Sequence, residues 1–223
     1  MVMAEATNHY FKHLGVSDGL SQVCIPSIYQ DELGAVWLGT TEGLNRYNGK
    51  DVKVFQPSES NHGLTNNEIN ELCGYNNGIM YIRSGNDLIK LDIYTEQFTC
   101  LRQKGVYGLF CKKDTLWVSC ADGIYYYTGQ GTELTFFARV QKGFVGRALY
   151  VDRETVWVVT RKYLVAISRE DPLRQEILLT LDKGNCILGD SSGNIWVGAG
   201  NGLYRVSPDR ETTAYVSHSG MGE

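Results

Sequence analysis

Long apolar runs are missing from this chain. No stretch of its 223 residues approaches the roughly 20 that a membrane-spanning helix needs. A basic run is missing too: 21 Lys and Arg are scattered among 25 Asp and Glu, for a net charge of −4. That counts against nucleic acid as the natural partner, because phosphate binding requires a concentrated positive face. Six cysteines (Cys24, Cys73, Cys100, Cys111, Cys120 and Cys186) include no CxxC or zinc-type spacing. His9 and His13 stand four apart without a third ligand, so no metal or other cofactor is expected; His62 and His218 read as solvated loop residues. No segment shows a sustained helical period. No Ser-His-Asp or Cys-His arrangement is visible, and no enzyme site is expected. The first eight residues, Met1 to Asn8, lack the charged leader and apolar core of a signal peptide.

What is present is a phrase that returns. Asp31-Glu32-Leu33-Gly34-Ala35-Val36-Trp37-Leu38-Gly39-Thr40, followed by Gly43-Leu44-Asn45-Arg46-Tyr47, reads as turn, strand, turn, strand. It recurs as Asp190-Ser191-Ser192-Gly193-Asn194-Ile195-Trp196-Val197-Gly198, followed by Gly202-Leu203-Tyr204-Arg205-Val206. Weaker copies surround Tyr81, Trp117 and Trp157, so the anchors Trp37, Tyr81, Trp117, Trp157 and Trp196 are spaced by 44, 36, 40 and 39 residues. One aromatic per period of about forty marks a repeat architecture. Short β-branched and aromatic runs punctuated by Gly, Asn and Asp make each unit four strands. Asp31 and Asp190 suit turn capping, with Gly34 and Gly193 at positive φ. Asn48-Gly49, Asn76-Asn77-Gly78, Asp122-Gly123 and Asn201-Gly202 suit tight hairpins.

The expected fold is therefore all-β, a β-propeller of four-stranded antiparallel blades with about five repeats. The whole of residues 1–223 reads as one propeller region. An outer strand covers 9–14, and repeats cover about 22–57, 68–102, 106–140, 144–181 and 185–217. The second strand begins at Ala35 in the first unit, and its first strand at Cys24. The five anchors are expected to pack between neighbouring blades rather than to bind a ligand. The spare outer strand and the loop-like ending, His218 to Glu223, suggest an open piece of a larger propeller. Exposed strand edges would then favour pairing with a second copy. The cysteines read as buried thiols within strands, the alternative being a Cys111–Cys120 disulfide across one hairpin. That leaves the redox compartment open.

The stretch Tyr10 to Ser21, together with the Asp31…Trp37…Tyr47 phrase, resembles the two-component regulator propeller, the sensor region of hybrid two-component systems in Bacteroides-type bacteria. The resemblance is specific in the first and fifth units. It is degenerate in the middle three, where Tyr81 replaces Trp and Arg161-Lys162-Tyr163 replaces a Gly turn. It implies a periplasmic sensor that precedes a membrane helix, a histidine kinase and a DNA-binding response regulator, none of them within these residues. It also implies an oligosaccharide signal, and no binding residue carries over by motif. On the residues themselves, Arg83, Asn86, Asp87, Arg147, Arg161 and Tyr163 depart from the Gly-rich repeat on the face of the blade-to-blade loops. They are the candidate ligand-binding residues, with ordinary surface residues as the alternative. The expected function is non-catalytic ligand sensing. The rivals are a stand-alone protein-interaction propeller and, more remotely, a propeller glycan lyase or hydrolase.

Overall fold

A computed structural model describes residues 13–57, 63–75, 77–102, 104–129 and 133–215. Five four-stranded antiparallel sheets follow one another in sequence order. The first holds β1 (Ser27–Gln30), β2 (Val36–Thr40), β3 (Gly43–Tyr47) and β4 (Val52–Phe55). The second holds β5 (Ile69–Gly74), β6 (Ile79–Ser84), β7 (Asp87–Asp92) and β8 (Gln97–Arg102). The third has β9 (Val106–Lys112), β10 (Thr115–Cys120), β11 (Gly123–Tyr127) and β12 (Thr135–Ala138). The fourth has β13 (Gly146–Val151), β14 (Thr155–Thr160), β15 (Tyr163–Ser168) and β16 (Gln175–Thr180). The fifth has β17 (Cys186–Gly189), β18 (Ile195–Ala199), β19 (Gly202–Val206) and β20 (Thr212–Tyr215). In every sheet the strands meander 1-2-3-4, so each is a propeller blade. The only helical turns among the described residues are Val16–Asp18 and Gln141–Gly143.

The repeated turn has a second function beyond capping. Asp31 Oδ1 accepts from the N–H groups of Leu33 (3.0 Å) and Ala35 (2.9 Å), while Oδ2 accepts from the Trp37 indole N–H at 2.8 Å. Asp190 repeats the pattern toward Trp196 at 2.8 Å, and Asp152 toward Trp157 at 2.6 Å. One carboxylate thus shapes the turn and fixes the anchor's ring. Gly34 (φ 84°) and Gly193 (φ 81°) close these turns in the left-handed region that side chains avoid.

Each of the first four anchors packs on the sheet that follows it; Trp196, expected between blades like the others, is half-buried with no described sheet after it. Trp37, Leu44 and Phe55 meet Leu72, Met80, Ile82 and Leu91 of the second sheet. Tyr81 and Leu88 meet Val106, Leu116 and Val118 of the third. Trp117 and Ile124 meet Val156, Val158 and Ile167 of the fourth. Trp157 and Leu164 meet Ile195, Val197 and Val206 of the fifth. Ion pairs seal the outer rim of two of these interfaces with opposite polarity. Arg46 and Lys53 of the first sheet pair with Glu96 of the second, whereas Glu176 of the fourth pairs with Arg210 of the fifth. Among the described residues no such core joins the fifth sheet to the first, and the five sheets do not close on themselves.

Several details differ from the sequence reading. β1 begins at Ser27 rather than Cys24, because Pro26 lacks the N–H that a ladder requires. β2 starts at Val36, Ala35 being held in the turn by Asp31. Of the outer strand expected over 9–14, only His13 and Leu14 are described, and neither is in a strand. His9, His62, Asn76 and His218 lie outside the described residues. The hairpin β9–β10 places Cys111 opposite Leu116 and Cys120 opposite Val106, at opposite ends of the ladder, so these two cysteines cannot meet. Cys111 instead forms a disulfide with Cys73 of the neighbouring sheet, with Cα atoms 5.8 Å apart. Cys24 and Cys186 are exposed free thiols, not buried ones, and Cys120 is the buried one.

Candidate functional site at the convergence of the first strands

The first strands β1, β5, β9, β13 and β17 lie side by side at the inner edges of the sheets. Between them is a concavity of about 730 Å³. Its lining follows one repeat position, Pro26, Asn70, Tyr107, Arg147 and Asn185, each ten or eleven residues before its sheet's anchor. The backbone explains the common direction. In β5, β9 and β13 this residue is the extra one of a β-bulge: Asn70, Tyr107 and Arg147 are skipped in the pairing with the second strand. A bulge bends the strand and re-aims a side chain. In the first and fifth sheets the equivalent residue immediately precedes the strand.

One position further along, neighbouring first strands are tied together. Ser27 Oγ accepts from the Leu72 N–H at 2.9 Å, and Glu71 Oε2 accepts from the Leu109 N–H at 3.0 Å. The third sheet has Gly108 at this position, and the backbone of the fourth closes in: a Cβ there would lie 2.7 Å from the Arg147 carbonyl oxygen. Glu71 has a second partner in Arg83, whose Nε donates to Oε2 at 3.3 Å while its Nη1 donates to the Gly85 carbonyl at 3.2 Å. Enclosure at the floor of the concavity raises the Glu71 carboxyl to about 7, against the opposing pull of the Arg83 charge and the Leu109 N–H.

Beside Arg147 lie two smaller hollows. One, of about 560 Å³, is lined by Arg147, Arg161, Lys183 and the Gly184–Cys186 and Gly198–Gly200 backbones. The other, of about 320 Å³, places the rings of Tyr107 and Phe144 beside Arg147 and Arg161. The six sequence candidates therefore separate. Arg83, Asn86 and Arg147 share the central concavity, and Arg161 joins Arg147 in the two hollows. Asp87 does not join them, because its Oδ1 accepts from the Lys104 N–H. Tyr163 is held away against Phe144, with ring centroids 4.8 Å apart. Sequence reasoning missed Asn70, Glu71, Tyr107, Phe144, Lys183 and Asn185. The signal for Asn70, Tyr107 and Asn185 lay in counting back from each anchor; Glu71 follows Asn70, and Lys183 sits two residues before Asn185, in the connection to the fifth sheet.

Cysteine placement adds an electrostatic detail. Burial pushes the Cys120 thiol up to about 11, which makes it inert, whereas Cys186 opens on the central concavity and on the first of the two hollows.

Comparison with known proteins agrees with this architecture. Residues 19–42 match the family model of the two component regulator propeller. A 53-residue stretch, 24% of the chain, is 40% identical to histidine kinase P4 of Formosa agariphila, of which it covers 4%. In fold, the chain is similar to the extracellular domain of the hybrid two component system BT3049 from B. thetaiotaomicron. There the TM-score is 0.80 at 22% identity, covering 92% of this chain and 32% of that one. It is also similar to the extracellular domain of the one component system BT4673 from the same organism, with a TM-score of 0.75 at 18% identity, covering 97% and 34%. The chain thus spans about a third of the length of these solved neighbours and a small fraction of the kinase. With the two component regulator propeller repeat matched at residues 19–42 and a four-stranded unit built five times over, the chain is a β-propeller that carries a repeat of that family.

Proposed function

We propose that this chain is the ligand-binding part of an extracytoplasmic sensor in a hybrid two-component signalling protein, and that it works by binding, without chemistry. The observation that carries this reading is the ring of residues at one repeat position. Five sheets that otherwise repeat one packing pattern send Pro, Asn, Tyr, Arg and Asn from that position to the lining of a single concavity. The ligand class we assign is an oligosaccharide. Tyr107 and Phe144 offer ring faces to the apolar side of a sugar, and Asn70, Asn86, Arg83 and Asn185 offer donors and acceptors to its hydroxyls. The Cys73–Cys111 disulfide suits an oxidising compartment such as the periplasm. Among the described residues no helix is long and apolar enough to cross a membrane. Ligand binding would shift how the sheets sit against one another, and the parent molecule would carry that shift across the membrane to a kinase. Titration calorimetry of the purified chain against a panel of neutral and acidic oligosaccharides tests the reading. Binding that is lost in Asn185→Ala and Tyr107→Ala supports it, and silence across both sets overturns it.

A second reading, a protein-interaction propeller, draws on the outer face of the fifth sheet. Leu188, Trp196, Arg205 and Thr213 lie in register there, next to Gly198, Leu203 and Tyr215. These match, residue for residue, Tyr29, Trp37, Arg46 and Lys53 with Gly39, Leu44 and Phe55, the face that the second sheet covers. Leu188 and Tyr215 are exposed, and Trp196 stacks on Tyr215 at 5.9 Å. The occupant this face fits is another four-stranded sheet of the same build, in this protein or in a second copy. Light scattering over a concentration series distinguishes a self-pairing module from a monomeric sensor.

A further inference from the structure

The charges around the concavity are unevenly placed, and that asymmetry points to a class of ligand. On the side of the second sheet, Arg83 is paired with Glu71, and Glu68 lies nearby. On the side of the fourth and fifth sheets, Arg147, Arg161 and Lys183 surround one hollow whose lining contains no carboxylate. None of the three has a hydrogen bond or ion pair from its side chain among the described residues. In a chain with four more acids than bases, three unneutralised cations on one concave surface make a local field of the opposite sign. Gly184, Gly198 and Gly200 complete the lining; the Cys186 thiol packs over Gly198, and Asp182 lies beside Gly200 behind the hollow's wall. The adjoining hollow supplies Tyr107 and Phe144 and shares Arg147 and Arg161.

We propose that the ligand is an acidic oligosaccharide, whose carboxylate or sulfate is held by Arg147, Arg161 and Lys183 while a neighbouring sugar ring rests on Tyr107 and Phe144. This rests on the saccharide reading above and adds the sign of the ligand's charge. The planar guanidinium groups match carboxylate and sulfate oxygens by paired hydrogen bonds, and Lys183 adds a point charge. Because all three cations are exposed, their attraction is screened by salt over a Debye length of about 8 Å at physiological ionic strength.

The test uses the intact chain and tetrasaccharides of galacturonate, alginate and chondroitin sulfate. Each is compared with its methyl-esterified or desulfated counterpart, and sodium sulfate alone is a further probe. Calorimetry gives affinity. Protection of Cys186 from alkylation, read on its peptide by mass spectrometry, gives location, since that thiol opens on the same hollow. At least one acidic member is expected to bind about tenfold or more tightly than its neutral counterpart, to protect Cys186, and to weaken as salt rises. Arg161→Gln and Lys183→Gln should each reduce that preference. If neutral and acidic members bind alike, the charge assignment is overturned and the saccharide reading stands. If no saccharide of either kind binds, both are overturned. If sodium sulfate protects Cys186 as well as the acidic saccharides at equal concentration, the hollow is a simple ion site and the proposal is wrong.

Discussion

Trp37 and Trp196 occupy the same repeat position with the same local partners, which makes a paired substitution informative. Each indole donates to a turn aspartate, and each stacks on an aromatic of the fourth strand, Trp37 on Phe55 at 5.7 Å and Trp196 on Tyr215 at 5.9 Å. They differ in one respect. Trp37 is 0% exposed beneath the second sheet, whereas Trp196 is half-buried on a face that none of the described sheets covers. Removing a fully buried Trp costs about 3–5 kcal/mol in lost transfer energy and cavity formation. At Trp37 the substitution also strands Oδ2 of Asp31, itself 4% exposed, which adds about 1 kcal/mol or more. Trp37→Ala should therefore destabilise by about 4–6 kcal/mol, a large fraction of the total for a domain. Trp196→Ala loses the stacking and part of the burial, about 1–2 kcal/mol, and its turn carboxylate is rehydrated.

Urea denaturation followed by far-UV circular dichroism measures this. With m of about 2–3 kcal/mol/M, the two midpoints should differ by about 0.7–2.5 M. The measurement belongs at a concentration where light scattering gives a monomer. Equal losses at that concentration would refute the reasoning, because they would mean the fifth sheet's face contributes as an interior does. Equal losses only at high concentration would instead identify a second copy as its cover.

The remaining predictions concern chemistry and close packing. Burial raises the folded pKa of Glu71 to about 7 from the usual 4.5, so it contributes stability below pH 4.5 that is lost as pH rises through 7. Glu71→Gln should flatten that part of the stability profile between pH 5 and 8, and a carboxyl NMR titration of the native protein should show a midpoint near 7. The disulfide predicts four titratable thiols in the unreduced, denatured chain. Cys111→Ser should cost about 4 kcal/mol by the loop-closure estimate for its 38-residue separation. Finding six thiols would remove that link. Gly108→Ala, whose Cβ would meet the Arg147 carbonyl at 2.7 Å, should push the fourth sheet's first strand outward. The expected cost is about 1–3 kcal/mol, with weakened binding of an acidic ligand.

How much of this was legible in the sequence depends on what each residue contacts. The anchors were legible because an interblade face is the same problem solved four times: a flat aromatic on the second strand against aliphatics of the next sheet. The aspartate–indole bonds were half legible. The turn announced a capping carboxylate, but nothing local told that its second oxygen reached six residues ahead to Trp37. The Cys73–Cys111 bond was hidden because its partners sit on the first strands of different sheets, a pairing that depends on how closely those strands approach. Cys111 and Cys120 looked like hairpin partners only while the position of the turn within the hairpin was unknown.

The ring around the concavity failed to stand out for a deeper reason. Repeat detection works on positions where the same physical demand recurs, and the bulge position carries no shared demand on its side chain. Its backbone place is fixed, a bulge in three sheets and the residue before the strand in the other two, while Pro26, Asn70, Tyr107 and Arg147 differ chemically and only the Asn recurs, as Asn185. Residues that break the Gly-rich turns were a partial proxy. They found Arg83, Asn86, Arg147 and Arg161, which face the cavities, and also Asp87 and Tyr163, which satisfy local backbone and ring contacts instead. A position that the fold fixes in place but leaves free in chemistry is where a repeat protein can change its ligand without disturbing a core. For this chain that places specificity ten or eleven residues before each anchor. Exchanging Arg147 and Asn185 should therefore alter what binds while leaving the unfolding midpoint within about 0.5 kcal/mol of the parent, as for other exposed substitutions. A loss of stability as large as that of Trp37→Ala would show that the ring serves the fold instead.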